Sequence, residues 1–298
     1  MPSPRRKPAL TITDQLALLA TRGLPLPPTD AEQMARLLAD RSFSRLAEYW
    51  RHFETDPAAH QFAAGTTVAA ISDVYDYDAT LRRLLADGLA VFEIALRSRL
   101  GYHVSTAHSP YDYLDPASYI GQAVRRAGTM VALRDELVAD LRRDLDRSKE
   151  DFIAAYRRRG DLPPLWSAME VLSMGSVSKM YRLIADQQIR RDIARGFGYP
   201  NPVFAESVFH SLTVLRNVCA HHARIWHRTS IQIAPRVLNR LKTGPDTSIY
   251  QSTPWAWLVV LADLVDTIRG DQDYSDRLWS HVNTKPQHTS GLTHPAAV

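Results

Sequence analysis

The chain has 298 residues, 45% hydrophobic and 23% charged, a balance that can bury a sizeable core and excludes a disordered or fibrous class. Its formal net charge of +4 is compatible with an anionic partner, although the scarcity of Lys, five of 36 basic residues, reads more simply as the Arg and Ala bias of a GC-rich genome. A single cysteine, Cys219, excludes an intrachain disulfide framework and fits cytoplasmic residence.

Taken in chain order, Arg5, Arg6 and Lys7 have no long apolar run behind them, so no signal peptide is expected. Helices are predicted near 13–21, 30–39 and 43–53, forming a small N-terminal module over residues 1–60. Leu81, Leu84, Leu85, Leu89, Phe92, Leu96 and Leu100 recur at three- and four-residue spacing and predict a long amphipathic helix over about 77–103, beside the later motif helix. Further helices are predicted near 117–145, 148–159, 165–186, 188–196, 203–229, 235–243, 254–269 and 273–283, and no segment alternates convincingly as a strand. Breaks fall at Gly23 to Pro28, Ser109-Pro110, Gly160 to Pro164, Gly198 to Pro202 and Gly244-Pro245. The fold class is therefore all-α, a helical bundle over 61–283, with a disordered tail over 284–298. Trp255 to Ala262 is apolar but too short to span a bilayer, so no membrane partner is expected.

Chemistry concentrates in residues 215–228, LRNVCAHHARIWHR. At about 100° per residue, Asn217, His221, Arg224 and Arg228 fall within roughly 60° on one helical face, with Arg216 at its edge. These residue types bind a phosphate and move its protons. Phe204, Val208, Leu212, Leu215, Cys219 and Trp226 occupy the opposite side, and His222 projects among them, so His222 and Trp226 are expected as structural support and His221 as the proton carrier. A solvated basic face without chemistry is the plainer alternative.

The residues also carry a resemblance. Arg216-Asn217-x-x-x-His221 resembles the Arg-x4-His motif of the HEPN superfamily of ribonucleases, and RNVCAHHARIWHR resembles the signature of the Abi-like (abortive infection, AbiD/AbiF-type) family. Arg45-Leu46-x-x-Tyr49-Trp50, Tyr75-x-Tyr77-Asp78-x-x-Leu81-Arg82, Glu93-Ile94-x-Leu96-Arg97-Ser98 and Trp166-x-x-x-Glu170-x-x-Ser173-x-Gly175-x-x-Ser178-x-x-Tyr181 are similar to its other landmarks, so that roughly residues 10–270 are covered. One departure is His227, where the family usually carries Asn before the last Arg. The resemblance implies a HEPN-like bundle and metal-independent, cofactor-free RNA cleavage that leaves a 2′,3′-cyclic phosphate and a 5′-hydroxyl. In it Arg216 would offset charge on phosphorus, His221 would carry a proton and Asn217 would orient the imidazole or the phosphate. Because HEPN nucleases commonly pair two motifs, the resemblance also implies a homodimer with a shared cleft.

Several other side chains qualify as contacts. Arg224 and Arg228 would extend the phosphate track, and Arg97 or Arg99 would either join it or, for Arg97, form an internal salt bridge with Glu93. Tyr49 and Trp50 would stack on RNA bases or pack internally. Trp166, Glu170 and Tyr181 are expected to frame the bundle, and the Arg pairs at 82/83, 125/126, 142/143 and 190/191, with Arg157 to Arg159, to line a groove or to be solvated. His221, His222 and His227 make no zinc set, since neither adjacent nor five-apart helical positions pair and no Cys, Asp or Glu lies between them. Ser176-x-x-Lys179 with Lys242-Thr243-Gly244 matches two elements of penicillin-recognising enzymes but lacks the Ser-Asp-Asn between them. The expected function is an abortive-infection ribonuclease or toxin, with a non-catalytic RNA-binding or RNA-regulated protein and a helical interaction scaffold as alternatives.

Overall fold

The structure, a computed structural model, describes residues 8–56, 58–126, 128–229, 231 and 233–297, without the side chain of Arg126. Arg5, Arg6, Lys7 and the Arg126 side chain therefore lie outside the described residues. The fold is all-α, and the described residues form two compact units, one up to residue 81 together with 296–297, and one over residues 82–295.

The first unit contains α1 (Ile12–Thr21), α2 (Pro28–Arg41), α3 (Phe43–Trp50), a short hairpin of β1 (Glu54–Asp56) and β2 (Gln61–Phe62), and the start of α4 (Val68–Ala107). Thr11 and Asp14 close a reciprocal capping box that starts α1, and Pro28 occupies the first turn of α2, where its missing N–H costs nothing. Leu19, Met34, Leu38, Leu46, Trp50, Phe62 and Ile71 form its core. Tyr49 and Trp50 are each only 1% exposed, which corrects the idea of an RNA-stacking platform: neither ring presents a face to solvent. The Tyr49 hydroxyl instead donates to the buried Asp78 carboxylate at 2.6 Å. Tyr49→Phe is expected to cost about 1–3 kcal/mol, because a hydrogen bond to a buried carboxylate is lost while the ring volume is kept; urea unfolding of the full chain measures it, and an unchanged midpoint would refute that role.

The second unit continues α4 and adds β3 (Ala123–Arg126), β4 (Thr129–Ala132), α5 (Leu133–Arg147), α6 (Asp151–Arg159), α7 (Leu165–Ala168), α8 (Met174–Leu183), α9 (Gln187–Gly196), α10 (Pro202–Ala220), α11 (Pro254–Arg269), α12 (Asp273–Thr284) and α13 (Ser290–Thr293). The leucine stripe of α4 is buried apart from Leu84, which is half-buried, and its Phe92 lies 5.4 Å from Phe209 of α10, so the two helices pack together as expected. Tyr181 and Phe197 complete that aromatic cluster at 4.8 and 5.0 Å from Phe209. Helix α11 is apolar almost all round and runs through the core, where Trp257 Nε1 donates to Ser211 Oγ of α10 at 2.8 Å.

Outside the motif helix, four predicted elements differ. The helix expected over 117–145 begins only at Leu133, because residues 123–126 and 129–132 pair as antiparallel strands beside Gly128 with φ +86°, a conformation glycine adopts without strain. The helix expected over 165–186 breaks after Ala168 and resumes at Met174, since buried Asp144 accepts hydrogen bonds from the Ser173 N–H and the Ser176 hydroxyl at 2.8 Å each. Residues 235–243 hold only a 3₁₀ turn at Asn239–Leu241, the run between Pro235 and Gly244 being too short to nucleate a helix alone. The tail expected to be disordered carries a 3₁₀ turn at Pro286–His288 and then α13, with Gly291 and Leu292 buried.

Candidate functional site

Helix α10 starts at Asn201, whose side chain accepts the Phe204 N–H, with Pro202 in its first turn. It ends within the motif, which corrects the predicted helix over 203–229. The N–H of His222 donates to Cys219 O and that of Ala223 to Val218 O, both at 3.0 Å, while His222 takes φ 54°. This is a Schellman stop with His in the left-handed position that glycine usually fills. The end of the helix leaves Arg216, Asn217 and His221 together on exposed surface, with Leu215, Val218 and Cys219 buried behind them.

Arg216 is positioned by a carboxylate from α4. Its Nε lies 3.5 Å from Glu93 Oε2, while Glu93 Oε1 accepts from Arg97 Nη2 at 2.5 Å, and Arg97 Nη1 donates to the Met169 carbonyl. Two guanidinium groups thus share one carboxylate, leaving one net positive charge at a helix C-terminus whose own carbonyls are partially negative. Arg216 is 45% exposed and can meet an incoming anion, whereas Arg97, 13% exposed and held at both terminal nitrogens, orients Glu93. The Glu93–Arg97 pair follows the i,i+4 reading; the reach of Glu93 to Arg216 needed the tertiary structure. Arg99 stacks over Phe197 at 3.9 Å.

Arg224 and Arg228 lie beyond the helix end, off the α10 face, and Arg228 Nη1 donates to the Arg224 carbonyl at 3.2 Å. His222 is exposed, which corrects its expected place in the core: ending the helix at Ala220 turns its side chain away from the apolar arc. Trp226 is buried as expected, with Nε1 donating to His288 O at 3.0 Å. Of the three framing candidates Tyr181 is buried, its hydroxyl donating to Arg190 O at 3.1 Å, while Glu170 and Trp166 are exposed. Cys219 is buried, in keeping with packing.

His227 takes φ 53°, and its N–H donates to Gly291 O at 2.7 Å. Asn and His are both enriched in that left-handed region, so His in place of the usual Asn keeps the backbone turn. Burial, and then the positive charge of Arg224, push the ring down to about 4 from its ordinary value. The unfolded chain therefore binds more protons between about pH 4 and 6.5, and the stability contributed by neutral His227 is full above that window and lost as pH falls through it. Accordingly, His227→Asn is expected to flatten stability against pH across this window; equal slopes in acid-titrated urea unfolding would contradict it.

Sequence reasoning missed one neighbouring feature. His210 and Asn217, seven residues apart and hence on one side of α10, line a cleft of about 360 Å³ with Lys179, Arg182, Asp140 and Glu206. Lost hydration in the cleft wall, and then Arg182, lower the His210 ring below its ordinary value against the opposing pull of Glu206. The i,i+7 spacing was the available signal.

Fold and site together define an all-α protein that presents a cationic, histidine-bearing helix end. A family model described as Abi-like protein matches residues 36–227, well over half of the sequence, and the chain belongs to that family. Membership supports a function of the abortive-infection type. No curated protein and no solved structure matches the chain. The matched stretch contains Arg216, Asn217 and His221 and stops before the C-terminal segment that holds Trp226. Among the described residues, no helix is long and apolar enough to cross a membrane.

Proposed function

We propose that the protein is a metal-independent, HEPN-type endoribonuclease that acts in the cytoplasm against phage infection or as a toxin. The observation that carries this reading is the exposure of Arg216, Asn217 and His221 at the end of α10, with Arg216 ion-paired to Glu93. Arg216 offsets the negative charge that grows on the phosphoryl oxygens as the RNA 2′-hydroxyl oxygen attacks phosphorus. His221, at the helix cap, takes the 2′-hydroxyl proton or delivers one to the departing 5′-oxygen, and the Asn217 amide orients the phosphate or the ring.

The reaction benefits from both an acid and a base, and the Arg-x4-His motif supplies one histidine, His221; the exposed His222 beside it lies outside that motif, on backbone reversed at φ 54°. His210 sits eleven residues before His221, about 16 Å along the axis at 1.5 Å per residue, too far to serve the same phosphorus. A second chain carrying its own His221 meets the requirement, so the active form is a homodimer with a shared cleft. Incubation of end-labelled RNA with purified protein in excess EDTA tests the reading. Products with cyclic-phosphate ends, absent for His221→Ala, are expected; intact RNA with salt-dependent binding would instead favour a non-catalytic RNA-binding protein.

A further inference from the structure

The cleft beside Asn217 has the construction of a binding site. Its volume of about 360 Å³ falls in the range of about 300–1,000 Å³ usual for small-molecule sites. Its floor is hydroxylic, with Ser176, Ser178 and Thr213 buried from the wall of α8 and the flank of α10. Its rim is cationic. Arg143, Lys179 and Arg182 are exposed by 63, 29 and 35% of their side chains, so all three reach solvent at the opening.

The rim carboxylates do not cancel this charge. Asp140 is shared by Lys179, at 2.7 Å, and Arg143; Glu206 is shared by Arg182, at 3.3 Å, and Arg190, at 2.8 Å. Each carboxylate thus serves two cations, the same arrangement as Arg97, Glu93 and Arg216 at the motif. A cation that holds half a carboxylate keeps donors and charge for an anion entering the cleft.

We propose that this cleft is a nucleotide subsite that takes one nucleoside monophosphate unit, its phosphate on Arg143, Lys179 and Arg182 and its ribose and base over the hydroxyl floor. The Ser176 and Thr213 hydroxyls donate inward, to Asp144 and to the Phe209 carbonyl at 2.8 Å each, and keep oxygen lone pairs that accept from ribose hydroxyls and base N–H groups. The occupant rests on the ribonuclease reading: Asn217 belongs to the cleft and to the exposed motif, so an RNA strand cut at His221 lays its adjoining nucleotide here.

The test is calorimetric titration of the full chain with AMP, CMP, GMP and UMP and, separately, inorganic phosphate, run beside the RNA cleavage assay. Wild type should bind at least one nucleotide saturably, tighter than inorganic phosphate. Lys179→Gln and Arg143→Gln should each weaken binding about tenfold, and in RNA binding lower the salt slope by about one. Asp140→Asn should tighten nucleotide binding several-fold, because it frees both cations; a purely structural Asp140 would give the opposite sign. His221→Ala should leave nucleotide binding unchanged.

No saturable binding up to about 1 mM, equivalent to less than about 4 kcal/mol, would overturn the subsite, as would affinities unmoved in folded Lys179→Gln and Arg143→Gln proteins. Equal affinity for inorganic phosphate would reduce it to an anion contact and overturn the nucleoside part. Cleavage lost in His221→Ala, with nucleotide binding absent from wild type, would leave the ribonuclease reading standing and remove the subsite. Nucleotide binding with the predicted variant pattern but no cleavage would do the reverse.

Discussion

His221→Ala is expected to lower RNA cleavage by about 10²–10⁴-fold, the usual contribution of a positioned proton carrier, while RNA affinity stays close to wild type. The reason is geometric: His221 caps α10 on exposed surface and makes no core contact whose loss would unfold the helix end. Arg216→Ala should cost about 10²–10³-fold, as removal of one charge-stabilising donor does elsewhere, and should also weaken binding and its salt dependence. Arg216→Lys keeps the charge but loses the planar fork, so it should recover binding better than rate. Single-turnover cleavage and filter binding separate these effects. Equal rates for wild type and His221→Ala would remove the proposed catalytic role.

The second large effect concerns the C-terminal segment. Trp226→Ala is expected to destabilise the protein by about 3–5 kcal/mol, as for other buried tryptophans. Its ring fills a pocket closed by His288 and Gly291, donates to His288 O at 3.0 Å, and lies 5.9 Å from the His288 ring. The fit at Gly291 is tight enough that a Cβ there would fall 2.2 Å from Trp226 Nε1. Gly291→Ala should therefore cost about 1–3 kcal/mol by overpacking, since the buried ring has nowhere to retreat. Both substitutions loosen residues 221–228 and should reduce cleavage beyond what their fraction unfolded explains. The control is Trp166→Ala: that residue is 55% exposed, so its removal should change stability by no more than about 0.5 kcal/mol. Denaturant unfolding of the three variants decides the matter, and a Trp226→Ala midpoint equal to wild type would refute the clamp.

The clamp also explains why the motif is not one continuous helix. Residues 221–228 have the composition and spacing of a helical stripe, yet the peptide reverses at His222 and again at His227 through left-handed conformations. Each such residue is strained by about 1–2 kcal/mol outside glycine and persists only where surrounding contacts compensate. Here those contacts are the buried Trp226 and the His227 N–H bond to Gly291 O, more than 60 residues away in the chain.

Much of the molecule was legible in the sequence because helical burial is written locally. The leucine stripe of α4 and the apolar run of α11 announced long buried helices, and the 254–269 range agrees residue for residue with the structure. The break at Gly198 to Pro202 marked the approach to α10, whose first residue is Pro202, and the exposure of Arg216, Asn217 and His221 agrees with the polar face that the spacing predicts. What the tertiary structure alone decided depends on partners distant in sequence. Asp144 breaks the segment at Ser173, Trp226 ends α10 by packing under Gly291, and Glu93 reaches from α4 to hold Arg216. Periodicity reports which way a side chain would point if the helix continued; whether it continues is set by the hydrogen bonds and buried area gained elsewhere when it stops.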